Sequence, residues 1–480
     1  MGQEISSSHF TSSDFEHFAQ QLELETQLLH CWYRDHTFSQ QDLIAGYELE
    51  AWLVDQHYQP SSVNQAFLDE AQSPLLSPEL AQFNIELNVL PHMLNKHIFR
   101  DFARDYGNHW QFCQQVAERL GCHLLSIGIL PTLNEQHLTL DNISRMKRYY
   151  ALNEQVLRHH QDKAFDFKLS GHQSLQGRYQ NVMLEAASTS LQIHLQVPQD
   201  MAVSYYNAAI LLSAITVAVG ANSPYLFGKD LWAETRIPVF EQAVNIGGFG
   251  GASKGPLHRV SFGTGFARDS LMECFTENME HFPVLLPMNF ESELKQMKHL
   301  SLHNGTIWRW NRPLIGFDAA GVPHLRIEHR VIASGPSIDD NIANMALFYG
   351  LVQFYAHHET PPEKLMEFAT ARDNFYTAAR QGIDARISWP GCERCSIRQL
   401  VLNRLLDEAD TGLNRLGIDR ADIEHYLGII EARMESQQTG SQWQRKFIEQ
   451  QGTDMATMTR TYYANQQSHE PVHQWDFVSR

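Results

Sequence analysis

The chain has 480 residues, 43% hydrophobic, 11% aromatic and 19% charged, which is ordinary for a soluble globular protein and unlike a disordered one. That length exceeds what one core usually organises, so a large unit with a smaller appended region is expected. Acidic residues outnumber basic ones by 55 to 37, and a net charge of −18 without a concentrated basic patch argues against nucleic acid or an anionic membrane as partner.

The first residues have no basic stretch followed by an apolar run, so they do not read as a secretory signal. Gly2 and Ser6 fit a myristoylation pattern short enough to arise by chance. Ser12-Ser13-Asp14 then opens a predicted amphipathic helix with Phe15, Phe18, Leu22 and Leu29 on one face. Between about 40 and 335 the periodicity alternates between 2 and 3.6, the pattern of antiparallel strands interleaved with helices.

In 46–55 the side chains alternate, so Glu48 and Glu50 share one strand face, roughly 6.7 Å apart, opposite Tyr47, Leu49 and Leu53. The strand predicted over 83–89 sets Asn84, Glu86 and Asn88 against Phe83, Ile85, Leu87 and Val89. Lys147-Arg148-Tyr149-Tyr150 combines basic and aromatic groups, which suits either a helix surface or contact with a nucleotide or substrate. The strand at 191–197 is the cleanest alternation, with Gln192, His194 and Gln196 opposite Leu191, Ile193, Leu195 and Val197. Ala208 to Ala221 is apolar but too short to span a bilayer and predicts a buried helix.

The glycine-rich segment 245–255 is not a phosphate-binding P-loop, because Lys254 precedes Gly255 rather than Ser or Thr; it reads as a plain loop or a mobile cover. At 325–331, Arg326, Glu328 and Arg330 oppose Leu325, Ile327 and Val331. From about 340 strand signals fade, and 396–416 and 420–434 read as amphipathic helices, with a soft boundary near 375 and a tail after Gln466 expected to be disordered. The expected division is a catalytic body over 1–375 and a helical region over 376–480. Six scattered cysteines predict a reducing, cytoplasmic setting, with Cys392 and Cys395 as free thiols.

Any one of these strands fits a half-solvated sheet. Together their polar faces carry Glu, His, Gln, Asn and Arg without a single Lys, and neighbouring carboxylates repel unless a cation lies between them. Carboxylate oxygens with one imidazole suit Mg²⁺ or Mn²⁺, and the lack of thiolates argues against zinc. Arginines beside such ions suit a triphosphate and the anionic transition state of phosphoryl transfer.

In order, these motifs resemble the glutamate–cysteine ligase family and its bacterial carboxylate–amine ligase relatives. The resemblance runs from about 44 to 345: the Glu48-x-Glu50 strand, the Glu86 strand, the His194 strand, 221–228 followed by Arg236, Trp308-Arg309-Trp310-Asn311-Arg312-Pro313, and Arg326-Ile-Glu-His-Arg330. It implies an α+β fold: a curved antiparallel sheet of glutamine synthetase type, lined with metal ligands and packed with helices, plus the helical C-terminal region. It also implies that Glu48, His194 and Glu328 hold one ion and Glu50 and Glu86 another, two or three Mg²⁺ or Mn²⁺ in all. Arg309, Arg312, Arg326 and Arg330 would meet ATP, with Arg312, Arg330 and Glu328 at the reacting group; Arg236 would bind substrate and Trp310 wall the pocket.

The chain departs from the family at Asn311, often acidic there, and at Gln196, where relatives carry a second histidine, which leaves the ion count open. The implied activity is ATP-dependent joining of a glutamate side-chain carboxylate to an amine through an acyl phosphate. Cysteine leads as acceptor, with another amino acid or an alkylamine as rival. The partners are small molecules, a homo-oligomer is open, and a non-catalytic binding relative is the competing class.

Overall fold

A computed structural model describes residues 4–5, 7–41, 43–161, 163–244 and 257–478. Its centre is one antiparallel sheet of eight strands: β1 (Ile44–Val54), β2 (Leu76–Pro78), β3 (Asn84–Asn88), β4 (His92–Met93), β5 (His123–Leu125), β6 (Ser190–Val197), β7 (Asn311–Phe317) and β8 (Pro323–Ala333). The order along the sheet is β7-β8-β6-β1-β3-β2, and β4 and β5 pair with the ends of β1. The four strands predicted around 50, 86, 194 and 328 are therefore consecutive neighbours, β8-β6-β1-β3.

The helices include α1 (Ser12–Arg34), α2 (Lys147–His159), α3 (Ala202–Val219), α4 (Arg236–Ala243) and α5 (Ile338–Ala356), of which α3 and α5 pack on the sheet. The alternation in β1, β6 and β8 turns Leu49, Leu53, Ile193, Leu195 and Ile327 to the side covered by α3 and α5, where all are at most 1% exposed. Burying each such side chain is worth about 1.5–3 kcal/mol, and a one-residue slip would move all of them to the polar face. α3 has the length and apolarity of a membrane span, but 89% of it is buried inside the protein, as expected of a core helix. Tyr349 of α5 reaches the sheet from below, donating its hydroxyl to the carbonyls of Gly46 (3.1 Å) and His194 (2.9 Å).

Helical structure covers 397–415 and 420–435 as predicted, and one cluster of buried apolar side chains runs from Ile5 to Trp475. Three expectations are corrected here. The segment after 340 contains a β-hairpin, Arg386–Trp389 with Cys392–Ser396, in which Ile387 and Trp389 are buried, and Cys392 is disulfide-bonded to Cys395 instead of leaving two free thiols. The hairpin is too short to stand out by periodicity, and it sets the two Cα atoms 5.9 Å apart, within ordinary disulfide reach. The tail after Gln466 is packed, not disordered: Trp475 is 3% exposed and meets Tyr462 (5.0 Å) and Trp443 (5.5 Å) edge-on. Gly2, Ser6 and the glycine-rich segment 245–255 lie outside the described residues.

Candidate active site

Register places the polar residues. Residues directly opposite each other in an antiparallel pair share a face. Glu50 pairs with Glu86, Glu48 with Gln192, His194 with Glu328, and Glu328 with Arg312. The pairings carry polar side chains across β3, β1, β6, β8 and β7 on one side of the sheet. A register shift between His329 and Ile332 interrupts β8 at Arg330, whose N–H donates to the Trp310 carbonyl at 2.9 Å. His329 faces the other way, stacked on Phe348 at 4.2 Å and bonded to Asn311 (2.7 Å) and Thr216 (2.8 Å).

The first cluster is Glu48, His194 and Glu328, each offering a ligand atom within 4.8 Å of the others. His194 Nε2 lies 3.4 Å from Glu48 and 3.7 Å from Glu328. Arg312 clasps Glu328 through both oxygens, Nε at 2.9 Å and Nη2 at 3.0 Å, and Arg330 adds a third contact at 3.0 Å. Burial pushes the Glu328 carboxyl up, but Arg312, Arg330 and His194 more than offset it and hold it far below the usual range. Burial lowers His194 to about 4, so its imidazole is neutral at physiological pH. Buried Glu48 Oε2 and His194 Nε2 have no hydrogen-bond partner among the described residues. Hard carboxylate oxygen beside a neutral imidazole nitrogen, both without a donor, is a donor set that fits Mg²⁺ or Mn²⁺.

The second cluster is Glu50, Glu79 and Glu86. Glu50 accepts from the Ser190 N–H (2.6 Å) and the Gln192 amide (2.7 Å), and Glu86 from Ser77 (2.9 Å) and Asn88 (3.0 Å). Burial raises Glu50 to about 7, with Arg330 opposing and Glu86 adding. Burial, then Glu86 and Glu50, push Glu79 well above the carboxylate range, and burial takes nearby Glu185 to about 8. Gln192 joins the clusters, donating to Glu50 and accepting from Arg330.

Sequence reasoning missed Glu79 and Glu185. Glu79 follows β2 in the turn into β3, and Glu185 sits in the 3₁₀ stretch Val182–Ala187, so no alternation marks either. Lys147 and Arg148 begin α2 at the rim, their N–H groups donating to Glu4 at 3.1 and 3.2 Å, and the charge of Arg148 bears on Glu185.

The predicted arginines divide. Arg312 and Arg330 stand over the first cluster. Arg326, two residues from Glu328 on the same strand, is half-buried, and its Nε has no hydrogen-bond partner among the described residues. Arg309 is not brought to the clusters. It is 3% exposed and points to the helix Met272–His281, where it meets Glu277 (2.8 Å) and Asn278 (2.5 Å). Arg236 spends its Nη groups on the carbonyls of Arg330 (3.3 Å) and Val331 (2.5 Å), and its guanidinium lies 5.4 Å from the Trp310 ring centre. Trp310 is 1% exposed, a support behind Arg236 more than an open wall, and donates its indole N–H to Glu241 at 2.9 Å.

A family model described as glutamate–cysteine ligase family 2 matches residues 44–474. Among solved structures, the fold is similar to a glutamate–cysteine ligase from Francisella tularensis in complex with AMP, at 12% identity and a TM-score of 0.53, covering 90% of each chain. It is also similar to a bifunctional glutathione synthetase from Pasteurella multocida, at 12% identity and a TM-score of 0.53, covering 92% of this chain and 55% of that one. No curated protein matches the chain by sequence.

Proposed function

Because this chain belongs to glutamate–cysteine ligase family 2 and is an ATP-dependent ligase of the carboxylate–amine class, we propose that it joins the side-chain carboxylate of glutamate to an amine, with L-cysteine as the first acceptor to test. The observation that carries this reading is the pair of carboxylate clusters on one side of the sheet, one buried and one half-buried, bridged by Gln192 and flanked by Arg312 and Arg330.

A carboxylate acylates poorly because oxide does not leave. Transfer of the terminal phosphoryl of ATP to the glutamate side chain makes phosphate the leaving group instead. The charge that builds on the transferring group calls for fixed cations in a site shielded from water. Arg330 and Arg312 fill that part: both are buried and already ordered by Glu328, so neither needs to reorganise during reaction. Glu48, His194 and Glu328 would hold one divalent ion, and Glu50, Glu79 and Glu86 a second. Bound there, Mg²⁺ supplies charge neutralisation at the phosphates. Arg326 would meet the nucleotide phosphates at the rim. Arg236 serves substrate binding by fixing the backbone that presents Arg330.

The test is phosphate release from ATP in the presence of Mg²⁺ and L-glutamate, as cysteine and other amines are added one at a time. Release that needs glutamate and one particular amine, with the γ-glutamyl amide identified by mass spectrometry, establishes the activity and names the acceptor. If no pair gives release while Mg-ATP binds, glutamate is not the donor.

A further inference from the structure

Glu241 has no part in the chemistry above, yet one side chain separates it from the arginines. It stands on α4, on the same helix as Arg236, and its Oε1 accepts from both Trp310 Nε1 (2.9 Å) and the Tyr376 hydroxyl (2.7 Å). The same indole carries Arg236 on its face, and the Trp310 carbonyl accepts from Arg330 N–H. Glu241 is thus tied through a single tryptophan to Arg236 and Arg330.

Both donors converge on one oxygen, and no hydrogen bond or ion pair to the other is found among the described residues. Burial pushes the Glu241 carboxyl up to about 7, and only the neutral donors Trp310 and Tyr376 act against it. A carboxylate drawn out of water without a cation is costly. An anchor for Trp310 and Tyr376 would need only a neutral carbonyl oxygen, so the negative charge is surplus to that task. Partial exposure leaves the carboxylate reachable. Tyr376 also lines a cavity of about 1020 Å³ together with Phe262, Phe368 and Arg372, which puts space for a small molecule beside its hydroxyl.

We propose that Glu241 is the specificity residue for the amine acceptor, receiving the acceptor's positively charged group on Oε2, and that the acceptor is a primary amine that docks as its ammonium cation and passes one proton to Oε2, so that the neutral amine attacks the acyl carbon and phosphate leaves. This rests on the ligase reading above. Glu241→Gln keeps an oxygen for Trp310 and Tyr376 and removes only the charge. With the full chain, Mg²⁺, ATP and glutamate, phosphate release is measured against L-cysteine, ethylamine and 1,4-diaminobutane. The expected result is a rise of about tenfold to a hundredfold in KM for whichever probe supports turnover, the range of one lost charge-assisted contact. The KM values for ATP and glutamate and the Tm should stay within about twofold or a degree of wild type.

Calorimetric titration of the same probes into Mg-ATP-loaded protein reads the contact without turnover. Weaker binding to Glu241→Gln by a similar factor supports the proposal. Equal binding to both proteins, or no binding of any of the three, overturns it. So does a uniform loss in every KM with a lowered Tm, which marks a structural anchor. Absence of phosphate release alone counts against the ligase reading and leaves the titration to decide on Glu241.

Discussion

Two carboxylate clusters, the first buried and the second half-buried, sit on adjoining strands and share Gln192, and their charges are handled in opposite ways. In the first, Arg312 and Arg330 hold Glu328 ionised, and burial keeps His194 neutral. In the second, Glu50, Glu79 and neighbouring Glu185 are all raised, because three half-buried carboxyls lie close together and the opposing charges of Arg330, Arg236 and Arg148 do not offset their desolvation. Glu328 in the first cluster is therefore balanced by the protein's own guanidinium groups, whereas the raised carboxyls of the second would need a bound cation to ionise together. A site that transfers phosphoryl groups benefits from both: fixed guanidinium groups provide preorganisation, and an exchangeable ion can arrive with the nucleotide.

The sharpest way to break this comparison is Glu328→Gln. It leaves Arg312 and Arg330 buried without their counter-charge, and removing one partner of such a pair costs about 3–5 kcal/mol. We expect turnover to fall below detection and the denaturation midpoint to drop; normal activity would mean that the first cluster is not at the reacting centre. Glu79→Gln tests the other side. In metal-free protein it should hold or raise Tm, since it relieves crowding, while the Tm gain on adding Mg²⁺ shrinks; a full Mg²⁺ response would show that the second cluster does not take the ion.

Gln192→Leu cuts the link between the clusters and leaves Glu50 short of a donor, at about 1–3 kcal/mol. A double-mutant cycle with Glu50→Gln should then give a coupling energy clearly different from zero, and simple additivity would mean that the clusters act separately. The smallest effect calibrates the rest. Glu234 belongs to neither cluster but is raised to about 8 by burial. A raised carboxyl favours the folded state at low pH, so its contribution is complete below its unfolded value near 4.5 and is lost as pH climbs towards 8. Urea denaturation across that window should show a flatter pH slope for Glu234→Gln than for wild type.

What could be read from the residues followed from the physics of a one-sided sheet. Alternation was visible in β1, β6 and β8 because one face is sealed by α3 and α5, so Glu48, Glu50, His194, Glu328 and Arg330 could be set side by side before any coordinates. Arg309 is grouped with Arg312 by the resemblance of 308–313 to the family motif. The chain changes partners between them: Trp308–Arg309 runs parallel to Val260–Ser261, whereas β7 begins at Asn311 and pairs with β8. That switch turns Arg309 away, and no local pattern announces it. Glu79, Glu185 and Glu241 lie on a turn, a 3₁₀ stretch and a helix, and what matters about them is what folds over them. The packed tail went unread for a similar reason: Trp475 looks like an isolated aromatic among polar residues until Tyr462 and Trp443 are in place around it.

The far end of the chain is fastened to the middle of the molecule. Arg433 bonds to Asp340 at 2.6 Å, the other Asp340 oxygen accepts from Val472 N–H at 2.8 Å, and Tyr462 and Gln466 reach the carbonyl of Ser126. On a ribosome, β1 emerges early with Glu48 and Glu50, β8 follows with Glu328 almost three hundred residues later, and the clasp on Asp340 closes only with the last segment. A chain cut between 340 and 472 therefore carries all the proposed ligands without the clasp that holds Asp340 and Ser126, and loss of the residues around 472 should lower the stability of the whole protein although no ligand is removed.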